Sequence, residues 1–342
     1  MASSLSTERR LIMQRSLRSL LLLAAILGAS STLLAQRTPL KPGWNMFSHE
    51  QDVEIGKRAA ADAERKLPLC NAPKVDAYLT EIGKRLAAKL PTGGVDYPWE
   101  FHCVNDKAIN AFALPGGFVF VNRGTIEAAD NEAQLAAVMA HELSHVALRH
   151  GTNQATKAQA AQGIIGIAGG IFGGSTGGAL LTQLGSFAAG GVLLRYSRSA
   201  ESQADVMGTQ VLYDAGYDPR AMEQFFEKLE AETKGKNPPE FLSDHPSPEH
   251  RVDRVTEEID KLGGVPPNAK RDSTDFESVK REVLALPPPP KGRTAEAAAA
   301  GGAVPAPSEN SVSYQGRSYS LNYPQNWKKY PDRDGKGVSF AP

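Results

Sequence analysis

The sequence predicts an α+β fold that is mainly helical with one small β-sheet, and three observations support this prediction. Segments before residue 91 and after residue 130 place apolar residues three and four positions apart, which is the period of an amphipathic helix. Residues 99–126 instead alternate or run through β-branched and aromatic residues, a pattern that favours strands. The chain has 342 residues, 41% of them hydrophobic, which suffices for about two domains with a sizeable core.

The first 35 residues have the organisation of a secretory signal peptide. Four arginines precede an apolar run that starts at Leu20, and the small residue Ala35 stands near its end, as in a signal that is cleaved on export. A run of about 15 residues is short for a membrane span, which needs about 20. We therefore expect an exported protein, periplasmic or secreted. The alternative is an uncleaved N-terminal segment that anchors the chain to the membrane.

The charge and the cysteines set further expectations. The chain carries 38 basic and 38 acidic side chains, and loss of residues 1–35 leaves 34 and 37, a net charge of −3. Domains that bind nucleic acid are strongly basic, so we expect no such partner. Cys70 and Cys103 are the two cysteines. In an oxidising compartment they form a disulfide or remain two buried thiols, and the sequence leaves both alternatives open.

The elements follow from local pattern. Two helices are predicted over residues 47–90, punctuated by prolines, and the second has the apolar face Val75, Leu79, Ile82 and Leu86. Strands are predicted from WEFHCVND and GGFVFVNRG, with a turn at Pro115-Gly116-Gly117. A helix is predicted from Asp130, its N-cap, to His150, with Gly151 ending it. Its apolar face comprises Leu135, Val138, Met139, Leu143 and Val146.

The second half of the chain is predicted to be helical up to residue 262. One helix covers Ser199–Gly216, another starts after Asp218-Pro219, and a third is HRVDRVTEEIDKL. Residues 163–194 are apolar and glycine-rich. We interpret them as two helices with a mobile turn, in peripheral contact with a membrane or covering a cleft. The alternative is small-residue packing within the core.

Composition divides the chain into four parts. Residues 1–35 are the signal peptide and residues 36–262 a folded domain. Residues 263–312 are a Pro/Ala-rich linker, since the run Leu286–Pro307 is extended and poorly packed by composition. Residues 313–342 form a short β-rich segment, too small for a core of its own. This segment adds to another surface or is the start of an incomplete domain.

The stretch VMAHELSHVALRHG contains an HExxH motif, His141 to His145. Positions four apart on a helix lie on one face, about 6 Å apart, so both histidines can bind one metal ion. Glu142 lies about 100° round the axis and can act on a water molecule as a general base. The alternative is a helix with unrelated histidines.

A third ligand can be sought on another helix. ESQAD, which starts 56 residues after His145, offers Glu201 as that ligand and Asp205 one turn later. The carboxylate of Asp205 can accept a hydrogen bond from a ligand histidine and fix its tautomer. A His₂Glu zinc site with one open position results, and we expect one Zn²⁺ per chain.

Four blocks in this order resemble a known family. They are NAFALPGGFVFVNRGTI, AAVMAHELSHVALRH, YSRSAESQADVMGTQVLYDAGYDP and FLSDHPSPEHRV. They are similar to the gluzincin metallopeptidases, which include the CAAX prenyl endopeptidases, the HtpX-type heat-shock peptidases and soluble periplasmic relatives. The resemblance covers about residues 47–262, with the soluble periplasmic branch nearest. It implies a zincin-like catalytic domain built on the HExxH helix.

The resemblance also assigns residues. His141, His145 and Glu201 correspond to the zinc ligands, Glu142 to the base and Asp205 to the outer carboxylate. His245 corresponds to a histidine that stabilises the oxyanion or takes the fourth zinc position in a latent enzyme. The alternative is an ordinary turn histidine. Arg251 matches an arginine that holds the site. The edge strand that pairs with extended substrate comprises Asn110, Ala111, Phe112 and Ala113.

The other histidines are left outside the site. His150 lies nine residues after His141, about 180° from its face if the helix continues. His49, His102 and His250 are left out without a positive argument.

The resemblance implies a zinc endopeptidase whose substrates are unfolded or misassembled envelope polypeptides. The alternative is a zinc-stabilised periplasmic chaperone or binding module with latent peptidase activity. An intact Glu142 favours the enzyme, since a binding module does not need a base.

Overall fold

A computed structural model describes residues 37–93, 95–161, 196–233, 239–245, 250–289, 311–315, 320–325, 328–331 and 338–341. These residues form a mainly helical structure with a small mixed sheet, and the predicted fold class is confirmed. The predicted signal peptide, the glycine-rich segment and most of the Pro/Ala-rich run lie outside the described residues.

Two helices open the described chain, as predicted. Helix α1 (His49–Lys66) starts with a capping box in which Ser48 and Gln51 satisfy each other's backbone N–H groups. Helix α2 (Pro73–Ala87) starts with Pro73, whose ring suits the first turn because no N–H is needed there. A disulfide joins Cys70 to Cys103, which resolves the open alternative and ties the segment before α2 to the sheet.

The sheet has three strands in the order β1-β3-β2. Strand β3 (Phe118–Asn122) is central, β1 (Glu100–Val104) runs parallel to it, and β2 (Ala111–Leu114) runs antiparallel to it. The turn between β2 and β3 is the predicted one. At Gly116 φ is +79° and a Cβ atom would lie 2.5 Å from the Cα of Val53. Glycine is needed there for both the backbone conformation and the approach of α1.

Among the described residues, the remaining elements are helical up to residue 284, and four short strands follow residue 310. The helices are α3 (Arg123–Ala128), α4 (Glu132–Ala147), α5 (His150–Ala161), α6 (Arg198–Asp214), α7 (Ala221–Thr233), α8 (Glu240–Asp244), α9 (Arg251–Lys261) and α10 (Thr274–Leu284). Strands β4 (Ser311–Gln315) and β5 (Ser320–Pro324) form one antiparallel pair, and β6 (Lys328–Pro331) and β7 (Val338–Ala341) form another.

Helix α4 lies at the centre of the core. Every one of its residues is buried, and it packs against α2, α6, α7 and the edge strand β2. Its ends differ from the prediction. The N-cap is Asn131 rather than Asp130. The helix stops at the C-cap Leu148 because Arg149 is left-handed, with φ +55°, and Gly151 lies inside α5.

Helix α10 contradicts part of the predicted linker. Its side chains Phe276, Val279 and Val283 are buried in the same core as α2 and α4. Ser273 caps the helix by accepting the N–H of Phe276. The packed part of the chain therefore extends past residue 262. Within the described residues, none of the helices combines the length and the hydropathy that a membrane crossing requires.

Candidate metal centre

The HExxH motif lies on α4, where burial and helix period place both histidines together. The Nε2 atoms of His141 and His145 are 3.0 Å apart, and both residues are almost fully buried. The side chain of Glu142 leaves the same turn in a different direction. Because α4 is covered on all sides, these polar groups lie in a region where unpaired charge is strongly disfavoured.

Helix α6 brings Glu201 to the two histidines. Its carboxylate oxygens lie 3.3 Å from Nε2 of His141 and 3.5 Å from Nε2 of His145. Ser197 caps α6 and so sets where Glu201 falls in the first turn. Farther along, a Cβ at Gly208 would lie 3.2 Å from the backbone nitrogen of His141. The absence of a side chain there lets α6 approach α4 closely.

His245 completes the group from the end of α8. Its Nδ1 lies 3.1 Å from Oε1 of Glu201 and 3.4 Å from Nε2 of His141. Its Nε2 lies 3.4 Å from Oε1 of Glu142. The ring of Phe241 stacks on it with centroids 4.6 Å apart, which fixes the plane of the imidazole. The structure thus brings His245 to the other three side chains.

The donor set fits a tetrahedral zinc ion. Ligand atoms of His141, His145, Glu201 and His245 all lie within 4.8 Å of one another. Zinc–nitrogen and zinc–oxygen bonds near 2.0–2.1 Å place tetrahedral ligands about 3.3 Å apart. Five of the six ligand-atom separations, all except that between His145 and His245, run from 3.0 to 3.5 Å. Nε2 of His141 faces two other ring nitrogens and a carboxylate oxygen of Glu201, a convergence of lone pairs that one shared cation would satisfy.

Charged groups behind the ligands hold them in place. Oδ1 of Asp205 lies 3.0 Å from Nδ1 of His141. Arg251, at the start of α9, donates from Nε to Asp205 (2.7 Å) and from Nη2 to Glu201 (3.0 Å). Its guanidinium lies 4.1 Å from the ring centre of Phe226. Arg251 therefore joins the ligand carboxylate to the carboxylate that orients a ligand histidine.

The pKa values of the ligands diverge. Burial lowers the pKa of His145 well below its ordinary value, so its ring is neutral. For His141 the effect of burial is outweighed by Asp205 and Glu201, which raise its pKa to about 9. Burial also opposes ionisation of Glu201, but the neighbouring histidines hold its pKa far below the ordinary range. A proton on His141 therefore competes with a metal ion for Nε2.

Glu142 has the environment of a general base. Burial raises its pKa, although the charges of His245 and His141 and the backbone of Ala113 oppose the shift. Its Oε1 is buried without a hydrogen-bond partner among the described residues. A carboxylate that is both desolvated and only partly satisfied is a better proton acceptor than one in water.

The structure corrects one prediction about the site. His150, excluded by helix period, lies against His145 with their Nδ1 atoms 2.9 Å apart. The period does not apply because the left-handed Arg149 ends α4 and turns the chain back. His49, His102 and His250 make contacts elsewhere. Arg149 is not a residue type typical of a left-handed turn, so the sequence gives no local signal of it.

The predicted edge strand lies beside the site. Asn110 donates from Nδ2 to Asp244 (2.8 Å) and to Glu240 (3.1 Å), and its Oδ1 accepts the N–H of Ala111. The ring of Phe112 stacks on Phe120 of β3 with centroids 5.0 Å apart. Ala113 lines a small cavity together with His145. Helix α8 is thus fastened to the start of β2, the strand that faces Glu142.

Helix α4 with its HExxH motif, Glu201 from α6 and the small mixed sheet define a zincin-like, metal-dependent peptidase domain. The sequence profile of peptidase family M48 matches residues 73–259, which is more than half of the chain. The chain belongs to peptidase family M48. The predicted family resemblance is confirmed.

Several relatives are similar over most of the chain. The beta-barrel assembly-enhancing protease of Escherichia coli (strain K12) is 32% identical over 248 residues, 69% of this chain and 49% of that protein. The protein of the same name from Yersinia pestis is 30% identical over 254 residues, 70% and 50% of the two chains. The mitochondrial metalloendopeptidase OMA1 of Schizosaccharomyces pombe is 31% identical over 237 residues, 66% of each. This chain therefore spans about half the length of the bacterial relatives.

Proposed function

We propose that this chain is a zinc-dependent endopeptidase that hydrolyses peptide bonds in exported or misfolded envelope proteins. The observation that carries the proposal is the buried convergence of two histidines and Glu201 beside the carboxylate of Glu142. A purely structural zinc site has no need of a base. The buried and partly unsatisfied Glu142 supports a catalytic site instead.

In this proposal His141, His145 and Glu201 hold one zinc ion per chain. When bound, the ion supplies a Lewis acid that polarises the scissile carbonyl and lowers the pKa of water. Glu142 accepts a proton from the attacking water and then passes it to the leaving amine. Asp205 and Arg251 keep His141 and Glu201 in position during these steps. The raised pKa of Glu142, caused by burial, suits a group that must both accept and return a proton.

Extended substrate is proposed to pair with β2. Within the described residues β2 pairs with β3 alone, so one edge is available for a further strand. Backbone pairing there confers affinity with little dependence on side chains, which fits unfolded polypeptides. The Asn110 side chain, which holds the N–H of Ala111, must move for pairing to extend to that residue.

The position of His245 supports a second, latent state of the same enzyme. Its Nδ1 stands among the ligand atoms, and its Nε2 faces Glu142. We propose that His245 is the fourth zinc ligand in this conformation and stabilises the oxyanion once it has moved away. In the first role it blocks the position that water and substrate need. This supports the alternative function, a binding module whose peptidase activity is latent.

The cellular compartment and the substrates are part of the proposal. An oxidising compartment accords with the Cys70–Cys103 disulfide and with the signal-like residues 1–35. Two relatives carry names that refer to β-barrel assembly, and a similar role in the envelope is proposed for this chain. Polypeptide substrates follow from the family, whereas misassembled envelope proteins are the proposed class.

The first test compares the mature chain with its Glu142→Gln variant on casein, with zinc measured in both. We expect equal zinc content and a loss of cleavage of at least about 10²–10⁴-fold, because the variant keeps the ligands and lacks the base. His250→Gln, an exposed histidine on the same chain, is the matched control and should cleave normally. Cleavage by both proteins would refute the role of Glu142, and the absence of zinc in both would refute the metal site.

The latent state has its own test. His245→Ala removes the proposed fourth ligand and leaves the other three. Faster casein cleavage than the wild type is expected if ligation by His245 limits activity. Slower cleavage with unchanged zinc content would instead assign His245 to oxyanion stabilisation alone.

A further inference from the structure

We propose that His150 is a positioning residue for the metal centre. It accepts the Nδ1–H of His145 and, with Gln203, keeps Nε2 of His145 free to bind the metal. The inference rests on the proposed metal site, and it concerns a histidine that the HExxH motif does not include.

The backbone between α4 and α5 is built to bring His150 back to His145. Arg149 adopts φ +55°, a left-handed conformation that arginine rarely adopts. Its side chain donates from Nε to Asp52 (2.5 Å) and from Nη2 to the carbonyl of Phe47 (2.6 Å). Asp52 is itself buried. A buried ion pair to α1 therefore holds the turn that reverses the chain.

The hydrogen-bond pattern has a direction. The Nδ1 atoms of His145 and His150 are 2.9 Å apart, so one of the two nitrogens carries the single proton between them. Nε2 of His150 lies 3.1 Å from Oε1 of Gln203, an acceptor, and therefore carries a proton. A neutral His150 then has a bare Nδ1. The shared proton belongs to His145, whose Nε2 is bare and points to His141 and Glu201.

The reverse arrangement is incompatible with metal binding. If His150 carried the proton on Nδ1, His145 would accept it and would hold its own proton on Nε2. That proton would stand on Nε2 of His145, the ring nitrogen that lies 3.5 Å from Oε1 of Glu201. Metal binding requires the lone pair on that nitrogen. Gln203 selects against the reverse arrangement because its carbonyl takes the Nε2–H of His150.

The two ligand histidines are thus held differently. His141 faces the carboxylate of Asp205, one of the usual partners of a ligand histidine. His145 faces a second imidazole and is covered by the ring of Tyr196, stacked with centroids 4.0 Å apart and 18° between planes. Stacking fixes the plane of the His145 ring, and His150 fixes which of its nitrogens carries the proton.

The test measures zinc affinity rather than cleavage, by chelator competition on the full-length chain. His150→Leu removes the acceptor, whereas His150→Asn keeps an oxygen near the position of Nδ1. We expect His150→Leu to weaken zinc binding by about 10–100-fold, the usual effect of losing a partner of a ligand histidine. His150→Asn should recover most of that loss, and Gln203→Leu should weaken binding less than His150→Leu does.

Two further readouts separate positioning from packing. Urea unfolding of the zinc-free variants reports any general loss of stability. A change in the tautomer of His145 alone would leave this stability unchanged. NMR of the imidazole nitrogens in zinc-loaded wild type should show the proton of His145 on Nδ1. If His150→Leu does not fold, the Gln203→Leu and His150→Asn variants decide the question.

Three outcomes overturn the inference. They are unchanged zinc affinity in His150→Leu, equal losses in the Leu and Asn variants, and unchanged affinity in Gln203→Leu. Each leaves the proposed peptidase standing. A wild-type chain that binds no zinc overturns the proposed function and this inference together.

Discussion

Arg251 is the residue on which two functional carboxylates depend. It is buried, and it donates to both Glu201 and Asp205. Its planar guanidinium presents donors in two directions, which a lysine ammonium cannot do at the same positions. The stability of the zinc-free site should therefore be sensitive to this one side chain.

Arg251→Met should destabilise the zinc-free chain by roughly 3–5 kcal/mol, because it removes the buried guanidinium that donates to both Glu201 and Asp205. Arg251→Lys should lose less. Urea unfolding at neutral pH is the measurement. The control is Arg58→Met, which breaks the exposed pair with Glu54 and should cost less than about 1 kcal/mol. Equal losses at the two positions would contradict the argument.

The residues of the candidate site can be predicted from the sequence where their spacing along one helix determines their relative positions. HExxH places His141, Glu142 and His145 by helix period alone, and the structure brings Glu201 and His245 to them. His150 was not predictable, because its position depends on a left-handed arginine held by Asp52 from a distant helix. A turn that is stabilised by tertiary contacts leaves no local pattern.

At the scale of elements, Glu132 connects three parts of the fold. It lies in the first turn of α4 and accepts hydrogen bonds from Tyr217 (2.6 Å), Lys270 (2.5 Å) and Ser273. Ser273 is also the N-cap of α10. Burial alone would raise the pKa of Glu132, but the hydrogen bonds from Lys270, Ser273 and Tyr217 outweigh it and lower the pKa below its ordinary value.

This shift makes the contribution of Glu132 dependent on pH. A carboxyl group with a depressed pKa in the folded state contributes stability above its unfolded pKa and loses it as pH falls through the folded pKa. Glu132→Gln should therefore be less stable than wild type at pH 7. The difference should shrink as pH falls below about 4.3, the ordinary pKa of glutamate.

Urea unfolding of both proteins across pH 3–7 checks the prediction. Glu257→Gln removes the same charge from an exposed position on α9 and should change stability little at any pH. A difference between wild type and Glu132→Gln that stays constant down to pH 3 would contradict a depressed pKa as its source.

Most elements were predictable, and α10 is the longest packed helix after residue 262 that composition does not indicate. Periodicity predicts α1, α2, α4, α6, α7 and α9, and β-branched runs predict the sheet. Helix α10 was missed although Ser273 and the spacing of Phe276, Val279 and Val283 carry the signals of a capped amphipathic helix. The neighbouring proline run dominated the composition of that segment. Composition is averaged over many residues, so it does not reveal a helix of only a few turns. The burial of α10 also depends on its packing against α2 and α3, which the local sequence does not show.

For the whole molecule, the packed unit extends to the residues just after α10. Arg123, buried on α3, donates from Nη1 to the carbonyls of Leu286 (3.3 Å) and Pro287 (2.9 Å). Asn105 also donates to Pro287. A buried guanidinium needs these acceptors. The boundary of the packed domain must therefore lie after residue 287, which is later than the composition of the chain indicates.

Two truncations test this boundary. A chain that ends at residue 289 keeps α10 and the carbonyls of Leu286 and Pro287 that accept from Arg123, so it should unfold at the same temperature as the full chain and cleave casein at the same rate. A chain that ends at residue 273 loses the burial of Phe276, Val279 and Val283. At roughly 1.5–3 kcal/mol for each side chain, that loss is comparable with the whole stability of a domain, and the chain should be unfolded or barely folded. Circular dichroism and casein turnover measure both effects. If the chain ending at 289 is folded and binds zinc but does not cleave, the segment with β4–β7 takes part in catalysis, and the peptidase unit is larger than its core.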